Sequence, residues 1–178
     1  MIVDLLSKAD GRRAAKLLEG AGLCFEEDID ELVGAYEGDA LMGTAARQGN
    51  VLKMFALDPA AQGGSLLGEL ASELLRRAFA VGHDSVFVFT KPEFVPSFEQ
   101  LNFGLLAAAG AAALLEHGGG LRRYLEAHRH LVLGDPIENN KAAVVVNANP
   151  FSLGHRYLVE EAAQRCETLY VFVVEEDR

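Results

Sequence analysis

The spacing of apolar positions predicts one helix and then three strands in the first third of the chain. Ala14, Leu17 and Leu18 repeat at helical intervals within Ala9–Leu18, and Arg12, Arg13 and Lys16 are expected to face outward. Three runs that follow have the short apolar character of strands: Glu31–Tyr36, Ala40–Arg47 and Val51–Leu57. A glycine-containing loop separates the first two runs, so we expect them to form a hairpin.

The middle of the chain predicts a long helix, a strand and a short helix. Apolar residues recur every three or four positions through Ser65–Val81, which indicates an amphipathic helix. Ser85–Phe89 has the pattern of a buried strand, and Phe94–Phe103 predicts a short helix that starts near Pro96. Phe103–Leu115 is ambiguous, because its alanines favour a helix and its glycines favour two short strands.

The last part of the chain predicts a separate segment. Leu121–His130 has the pattern of an amphipathic helix, and the linker-like composition after it suggests domains at 1–134 and 135–178. A strand, a helix and a strand then form a β-α-β unit: Ala142–Val146, Arg156–Gln164 and Leu169–Val174. One such unit cannot cover both faces of a parallel sheet, so we expect the second domain to be incomplete.

Composition and charge exclude several classes of protein. Half of the 178 residues are apolar, and the formal net charge of −10 disfavours nucleic-acid and anionic membrane surfaces. Cys24 and Cys166 lie far apart without metal-ligand spacing, and Phe103–Leu115, the longest apolar run, is too short to span a bilayer. No signal-type segment starts the chain. We therefore expect a cytoplasmic protein with no metal-binding residues and no nucleic-acid or membrane partner.

The four residues at the start of the long helix have the chemistry of a phosphate site. Gln62-Gly63-Gly64-Ser65 would place free backbone N–H groups at a helix N-terminus. This loop resembles the pyrophosphate loop of the GNAT acetyltransferases. The resemblance implies that Gln62, Gly63, Gly64 and Ser65 bind CoA or a dephospho-CoA-like group. It also implies an α/β, GNAT-like fold, a mixed sheet with flanking helices, in which Phe103–Leu115 forms two strands.

A second stretch resembles GNAT proteins but changes one functional position. Ser97–Phe103 is similar to a GNAT pattern in which a tyrosine protonates the leaving thiolate, and Phe98 stands at that tyrosine. Phenylalanine has no proton to donate. The resemblance therefore implies that this domain binds a CoA-like group, with or without acetyl transfer.

The stretch from Val144 to Leu158 carries the most specific chemistry. An apolar strand ends in an Asn/Pro loop, and the loop delivers Gly154 and His155 onto a helix N-terminus, which suits the phosphates of ATP. The stretch resembles the HxGH motif of the Rossmann-like nucleotidyltransferases. That resemblance implies catalytic roles for His155 and Ser152. It further implies nucleotide-binding residues at the following positions: Asn147, Asn149, Phe151, Gly154 and His155.

The order of the two segments resembles one family, the citrate lyase ligases. This resemblance implies an acid–thiol ligase that uses ATP and Mg²⁺ to join acetate to the prosthetic-group thiol of the citrate lyase acyl carrier protein. AMP and pyrophosphate are then released. The superfamily's downstream Ile-Ser-Ser/Thr-x-x-Arg string does not occur in the sequence. We therefore expect these 178 residues alone to be inactive.

Three alternatives remain open at this stage. The first is a GNAT acyl-CoA-dependent N-acetyltransferase with a C-terminal extension. The second is a non-catalytic module that binds CoA or an acyl carrier protein. The third is an adenylyl- or cytidylyltransferase of the pantetheine-phosphate or glycerol-phosphate type, which the GNAT-like leader disfavours.

Overall fold

The hydrophobic pattern predicts most helices and strands close to where the computed structural model has them. The structure describes residues 1–131 and 140–174. In the first part the elements are β1 Ile2–Asp4, α1 Lys8–Gly20, β2 Glu31–Glu37, β3 Ala40–Gln48, β4 Val51–Leu57, α2 Leu66–Ala80, β5 Val86–Thr90, α3 Val95–Glu99, β6 Gly104–Ala109, β7 Ala112–His117 and α4 Gly120–Ala127. In the second part they are β8 Lys141–Val146, α5 Leu153–Ala163 and β9 Thr168–Val173.

The chain divides into two compact units, Met1–Tyr124 and a second that begins at Leu125. The predicted boundary at 134/135 lies outside the described residues and stays a prediction, as does the linker predicted at 134–140, of which only Asn140 is described. Within the described ranges, no helix has the length and apolarity that crossing a membrane requires.

The first unit is built on one mixed sheet in the order β1-β2-β3-β4-β5-β7-β6. All neighbouring strands are antiparallel except β4 and β5, which run parallel. The ambiguous segment forms β6 and β7, so the two-strand alternative is the correct one. The predicted mixed sheet with flanking helices is confirmed.

The two faces of the sheet bury different helices. Along β3 and β4, Ala45 and Phe55 lie in the core cluster that holds the buried residues of α2 and Phe98 of α3. Their neighbours Ala46 and Met54 lie in a second cluster with Leu18 of α1. Because adjacent strand residues point to opposite faces, α2 and α3 cover one face and α1 covers the other.

The parallel pair β4–β5 is joined over a short stretch. Its register contains only Val51↔Phe87 and Leu52↔Val88, although β4 continues to Leu57. Met54 has φ +57°, a left-handed conformation that interrupts regular pairing in β4. The outer part of β4 is therefore not paired with β5, and this is where the chain turns into the Gln62–Ser65 loop.

The second unit contains a parallel strand pair and one helix. β8 and β9 pair in register from Lys141↔Thr168 to Val146↔Val173, and α5 connects them. The predicted β-α-β order is correct. The helix begins at Leu153, three residues before the predicted Arg156, so Gly154 and His155 lie inside its first turn.

Candidate functional site

The loop between β8 and α5 brings the predicted nucleotide-site residues to one helix N-terminus. The apolar strand ends at Val146, and the loop turns at Ala148, which has φ +49°. Ser152 then caps α5, because its Oγ accepts a hydrogen bond from the backbone N–H of His155 at 3.3 Å. Ser152, Gly154 and His155 therefore share one turn.

The side chain of His155 is held by the same cap. The backbone N–H of Ser152 donates to His155 Nδ1 at 3.0 Å, and Ser152 Oγ lies 3.0 Å from the same nitrogen. A backbone N–H can only donate, so Nδ1 accepts and carries no proton. In a neutral imidazole the proton then resides on Nε2. Nε2–H is thus a donor with no hydrogen-bond partner among the described residues.

Phe151 is the motif residue whose ring lies beside that of His155. The Phe151 and His155 ring centroids are 5.8 Å apart, and Phe151 is 60% exposed. A Cβ on Gly154 would lie 3.6 Å from Ser152 Oγ, an ordinary contact. The folded chain therefore does not itself require glycine at position 154, and such a requirement would come from a ligand. Asn147 and Asn149 lie in the same loop.

Arg156 does not belong to this arrangement. Its Nε donates to Glu160 Oε1 at 2.7 Å along the exposed side of α5. The cation is thus engaged by a carboxylate one turn away. Gly154, His155 and the first-turn N–H groups of α5 remain as the groups that can face an anion.

The Gln62–Ser65 loop forms the second candidate site, in the first unit. Asp58 Oδ1 accepts from Ala60 N at 2.9 Å and fixes the turn after β4, and Gly63 has φ +78°, where glycine is favoured. The Ser65 side chain makes no capping hydrogen bond to α2. The first N–H groups of α2 thus receive no acceptor from Ser65, and this arrangement suits a phosphate.

Glu69 is the residue of this site that the loop motif does not reveal. Ser65 Oγ donates to Glu69 Oε1 at 2.6 Å, so a carboxylate lies one turn from the helix N-terminus. The i,i+4 spacing of Ser65 and Glu69 is the only sequence signal for this contact. A cavity of about 390 Å³ borders the loop and reaches Ser97 and Gln100 near α3.

Phe98, at the position of the GNAT tyrosine, is a core residue. It is fully buried, and its ring meets those of Phe55 and Phe103 edge-on at 5.1 and 5.6 Å. Its role is to pack α3 against the sheet. No hydroxyl is available at this position to protonate a leaving thiolate.

The two carboxylates whose pKa values are strongly lowered belong to neither loop. Hydrogen bonds from Ser7 and Tyr36 lower the pKa of Asp10 to about 2, and hydrogen bonds from Arg76 and Arg77 lower that of Glu73 to about 2. Residues 1–131 and 140–174 bring no three His, Cys, Asp or Glu side chains together as metal ligands. The acidic residues 175–177 lie outside the described part.

Sequence comparison connects the chain with one enzyme family. Residues 141–178 match the family described as citrate lyase ligase C-terminal domain. The chain is 39% identical to a [citrate [pro-3S]-lyase] ligase of Klebsiella pneumoniae, over 98% of this chain and 51% of that protein. It is 31% identical to the [citrate [pro-3S]-lyase] ligase of Escherichia coli, over 92% of this chain and 46% of that protein. The chain therefore spans about half the length of the curated relatives it matches.

Structural comparison concerns the fold of the first unit. The GNAT domain of Streptomyces lividans PAT superposes with a TM-score of 0.52 at 11% identity, over 65% of this chain and 88% of that one. N-acetylglutamate synthase from Neisseria gonorrhoeae, complexed with coenzyme A and L-arginine, superposes with a TM-score of 0.53 at 16% identity, over 66% of this chain and 32% of that one. At these identities the likeness establishes the GNAT fold alone.

Proposed function

We propose that this relative of the citrate lyase ligases is part of an ATP-dependent acid–thiol ligase. In the intact protein, the acetate carboxylate would attack the α-phosphorus of ATP, and pyrophosphate would leave. The thiol of the citrate lyase carrier's prosthetic group would then attack the acetyl carbonyl, and AMP would leave. The similarity to the curated ligases over nearly the whole chain is the observation that carries this proposal.

His155 is the residue we propose to assist the first step. Its Nδ1 is occupied by the Ser152 N–H, so its Nε2–H is oriented as a neutral donor. A donor at a helix N-terminus stabilises the charge that develops on phosphate oxygens as pyrophosphate departs. Ser152 acts in this arrangement by capping α5 and holding the His155 ring. The motif implies a further role, in which the Ser152 hydroxyl lies near a phosphate.

Gly154 and the loop residues would hold the nucleotide. A ligand phosphate that lies against the first turn of α5 would leave little space for a Cβ at position 154. Asn147, Asn149 and Phe151 flank the same turn, where amide groups can bind the nucleotide and the exposed ring can cover the base or ribose.

Mg²⁺ is not assigned protein ligands in this proposal. The described residues offer no cluster of three ligating side chains, so they do not by themselves fit a resident metal. A Mg²⁺ ion would arrive with the triphosphate, whose charge it neutralises.

The first unit would bind the CoA-like prosthetic group instead of transferring an acetyl group. Gln62, Gly63, Gly64 and Ser65 would hold its pyrophosphate at the N-terminus of α2. Phe98 supplies no proton, which favours a binding role over GNAT-type acetyl transfer. Dephospho-CoA is the corresponding free compound.

Parallel calorimetric titrations of the 178-residue chain test these two sites. We expect MgATP to bind the chain and His155→Ala to weaken that binding, whereas dephospho-CoA should bind both proteins equally. His128→Ala, in the turn directly after α4, is the matched control for removal of an imidazole. MgATP binding that is equal in all three proteins would contradict the assignment of His155.

A further inference from the structure

Helix α1 carries a row of cations that the fold itself does not use. Lys8, Arg12 and Lys16 are spaced four residues apart, so they lie along one side of the helix over about 12 Å. All three are exposed and make no ion pair with any described residue. Arg13, next to Arg12, is exposed as well, although it pairs with Asp10 at 3.3 Å.

This row differs from most other cations of the chain, which have carboxylate partners. Ion pairs are formed by Arg47, Lys53, Arg76, Arg77, Arg123, Arg156 and Arg165. In a chain with a formal net charge of −10, three unpaired cations in one row form a local field of opposite sign. Such a field attracts an acidic surface to α1, whereas the acidic remainder of the chain repels that surface.

The row is held rigidly against the sheet. Ser7 caps α1, and the Asp10 carboxylate accepts hydrogen bonds from Ser7 Oγ at 2.6 Å and from the Tyr36 hydroxyl at 2.7 Å. On the opposite side of the helix, Ala14 and Leu18 are fully buried. The backbone of α1 is therefore fixed against the sheet, so the positions from which the cations extend are set before a partner binds.

A cavity borders the row and reaches the proposed CoA loop. It has a volume of about 430 Å³, and its walls include Arg13, Lys16 and Leu17 of α1. Leu57 and Gln62 also line the cavity, together with two carboxylate residues, Asp39 and Asp58. A protein seated on α1 would therefore be next to a recess that leads to the first residue of the loop.

We propose that Lys8, Arg12 and Lys16, with Arg13 beside them, form the docking surface for an acidic acyl carrier protein. This inference rests on the proposed function, because it takes the carrier of the prosthetic group as the partner. Carrier proteins are generally acidic, so they complement this row while the rest of the acidic chain repels them. Docking at α1 places the carrier beside the cavity that reaches Gln62.

Binding of the isolated carrier subunit of citrate lyase to the 178-residue chain tests this surface. Lys8→Gln/Arg12→Gln/Lys16→Gln is compared with the matched control Arg76→Gln/Arg123→Gln/Arg165→Gln, which removes three exposed cations elsewhere. We expect the α1 variant to weaken binding on the order of tenfold, and the control to change it by less than about twofold. Added salt should weaken binding to wild type far more than binding to the α1 variant.

Two further ligands separate the docking surface from the loop. The apo carrier, without its prosthetic group, should also bind the α1 variant more weakly than wild type, because the row contacts the surface of the carrier protein. Dephospho-CoA alone should bind the α1 variant and wild type equally.

Three results would overturn the docking surface. One is equal weakening by the α1 variant and the control, and another is the absence of carrier binding by wild type. The third is equally tight binding of a single-stranded oligonucleotide, which would mark the row as a general polyanion site. In any of these results, normal binding of dephospho-CoA would leave the proposed role of the Gln62–Ser65 loop intact. Loss of dephospho-CoA binding would count against the loop, independently of the docking surface.

Discussion

Replacement of Glu69 by glutamine probes the phosphate site at the start of α2. Glu69 accepts a hydrogen bond from Ser65 Oγ at 2.6 Å and so keeps a negative charge within one turn of the helix N-terminus. A pyrophosphate held by the first N–H groups of α2 would lie near this carboxylate. Glu69→Gln removes the charge and retains a side chain that can accept from Ser65. We therefore expect it to strengthen binding of dephospho-CoA.

The size of the effect follows from charge separation. Two unit charges about 6 Å apart in water repel by about 0.7 kcal/mol. A pyrophosphate with two charges doubles this energy, and physiological salt reduces it by about half. The net repulsion of about 0.7 kcal/mol corresponds to roughly a threefold lower Kd for Glu69→Gln. Loss of the favourable interaction between Glu69 and the helix dipole should cost about 0.5 kcal/mol of unfolding free energy.

Isothermal titration with dephospho-CoA measures this change directly. Glu37→Gln, at the exposed last residue of β2, removes the same charge at a distance and should leave the Kd unchanged. Raising the salt concentration should narrow the difference between wild type and Glu69→Gln, since screening weakens the repulsion. An unchanged or weaker affinity in Glu69→Gln would refute the placement of the pyrophosphate at this helix terminus.

Three other predictions concern stability and the nucleotide site. Gly118→Ala places a Cβ 2.4 Å from Asp84 O at φ +107° and should lower the unfolding free energy by at least about 2 kcal/mol in urea titrations; Gly82→Ala, at φ +98° with open space, should cost less, and equal losses would contradict the clash. Glu73, whose folded pKa is lowered from 4.5 to about 2, stabilises the fold above pH 4.5 and loses this contribution as the pH falls towards 2; Glu73→Gln should flatten acid unfolding in this range, and an unaltered profile would contradict the pairing. Gly154→Ala fits the folded chain and should keep its melting temperature while it weakens MgATP binding on the order of tenfold; a lower melting temperature with normal binding would reverse this interpretation.

Local patterns were sufficient for much of the fold. The β2–β3 hairpin follows from strand-like runs around Gly38, which has φ +58°, and α2 follows from apolar residues at helical spacing. By contrast, β1 has only three residues, too few for a periodic signal. The sheet order β5-β7-β6 depends on pairing between distant residues, so the split of Phe103–Leu115 into two strands required the family resemblance.

The positions of the candidate sites could be predicted from sequence motifs, whereas most of their side-chain contacts could not. Glycine before a helix indicates a phosphate site, so Gln62–Ser65 and Gly154 could be identified from sequence. The usual capping box has Glu or Gln at its third helical position, whereas α5 has His155 there. The sequence therefore did not indicate that Ser152 determines which ring nitrogen of His155 carries the proton. The charge of Glu69 near Ser65 likewise depends on side-chain conformation.

Acetate-dependent ATP–pyrophosphate exchange tests whether His155 belongs to a nucleotidyl-transfer site. The assay compares the 178-residue chain with a fusion of this chain to the part of the Klebsiella pneumoniae relative that it does not cover. We predict exchange by the fusion, none by the 178-residue chain, and a loss of at least about a hundredfold in the fusion with His155→Ala. A fusion that melts cooperatively and keeps its exchange activity after His155→Ala would contradict the account.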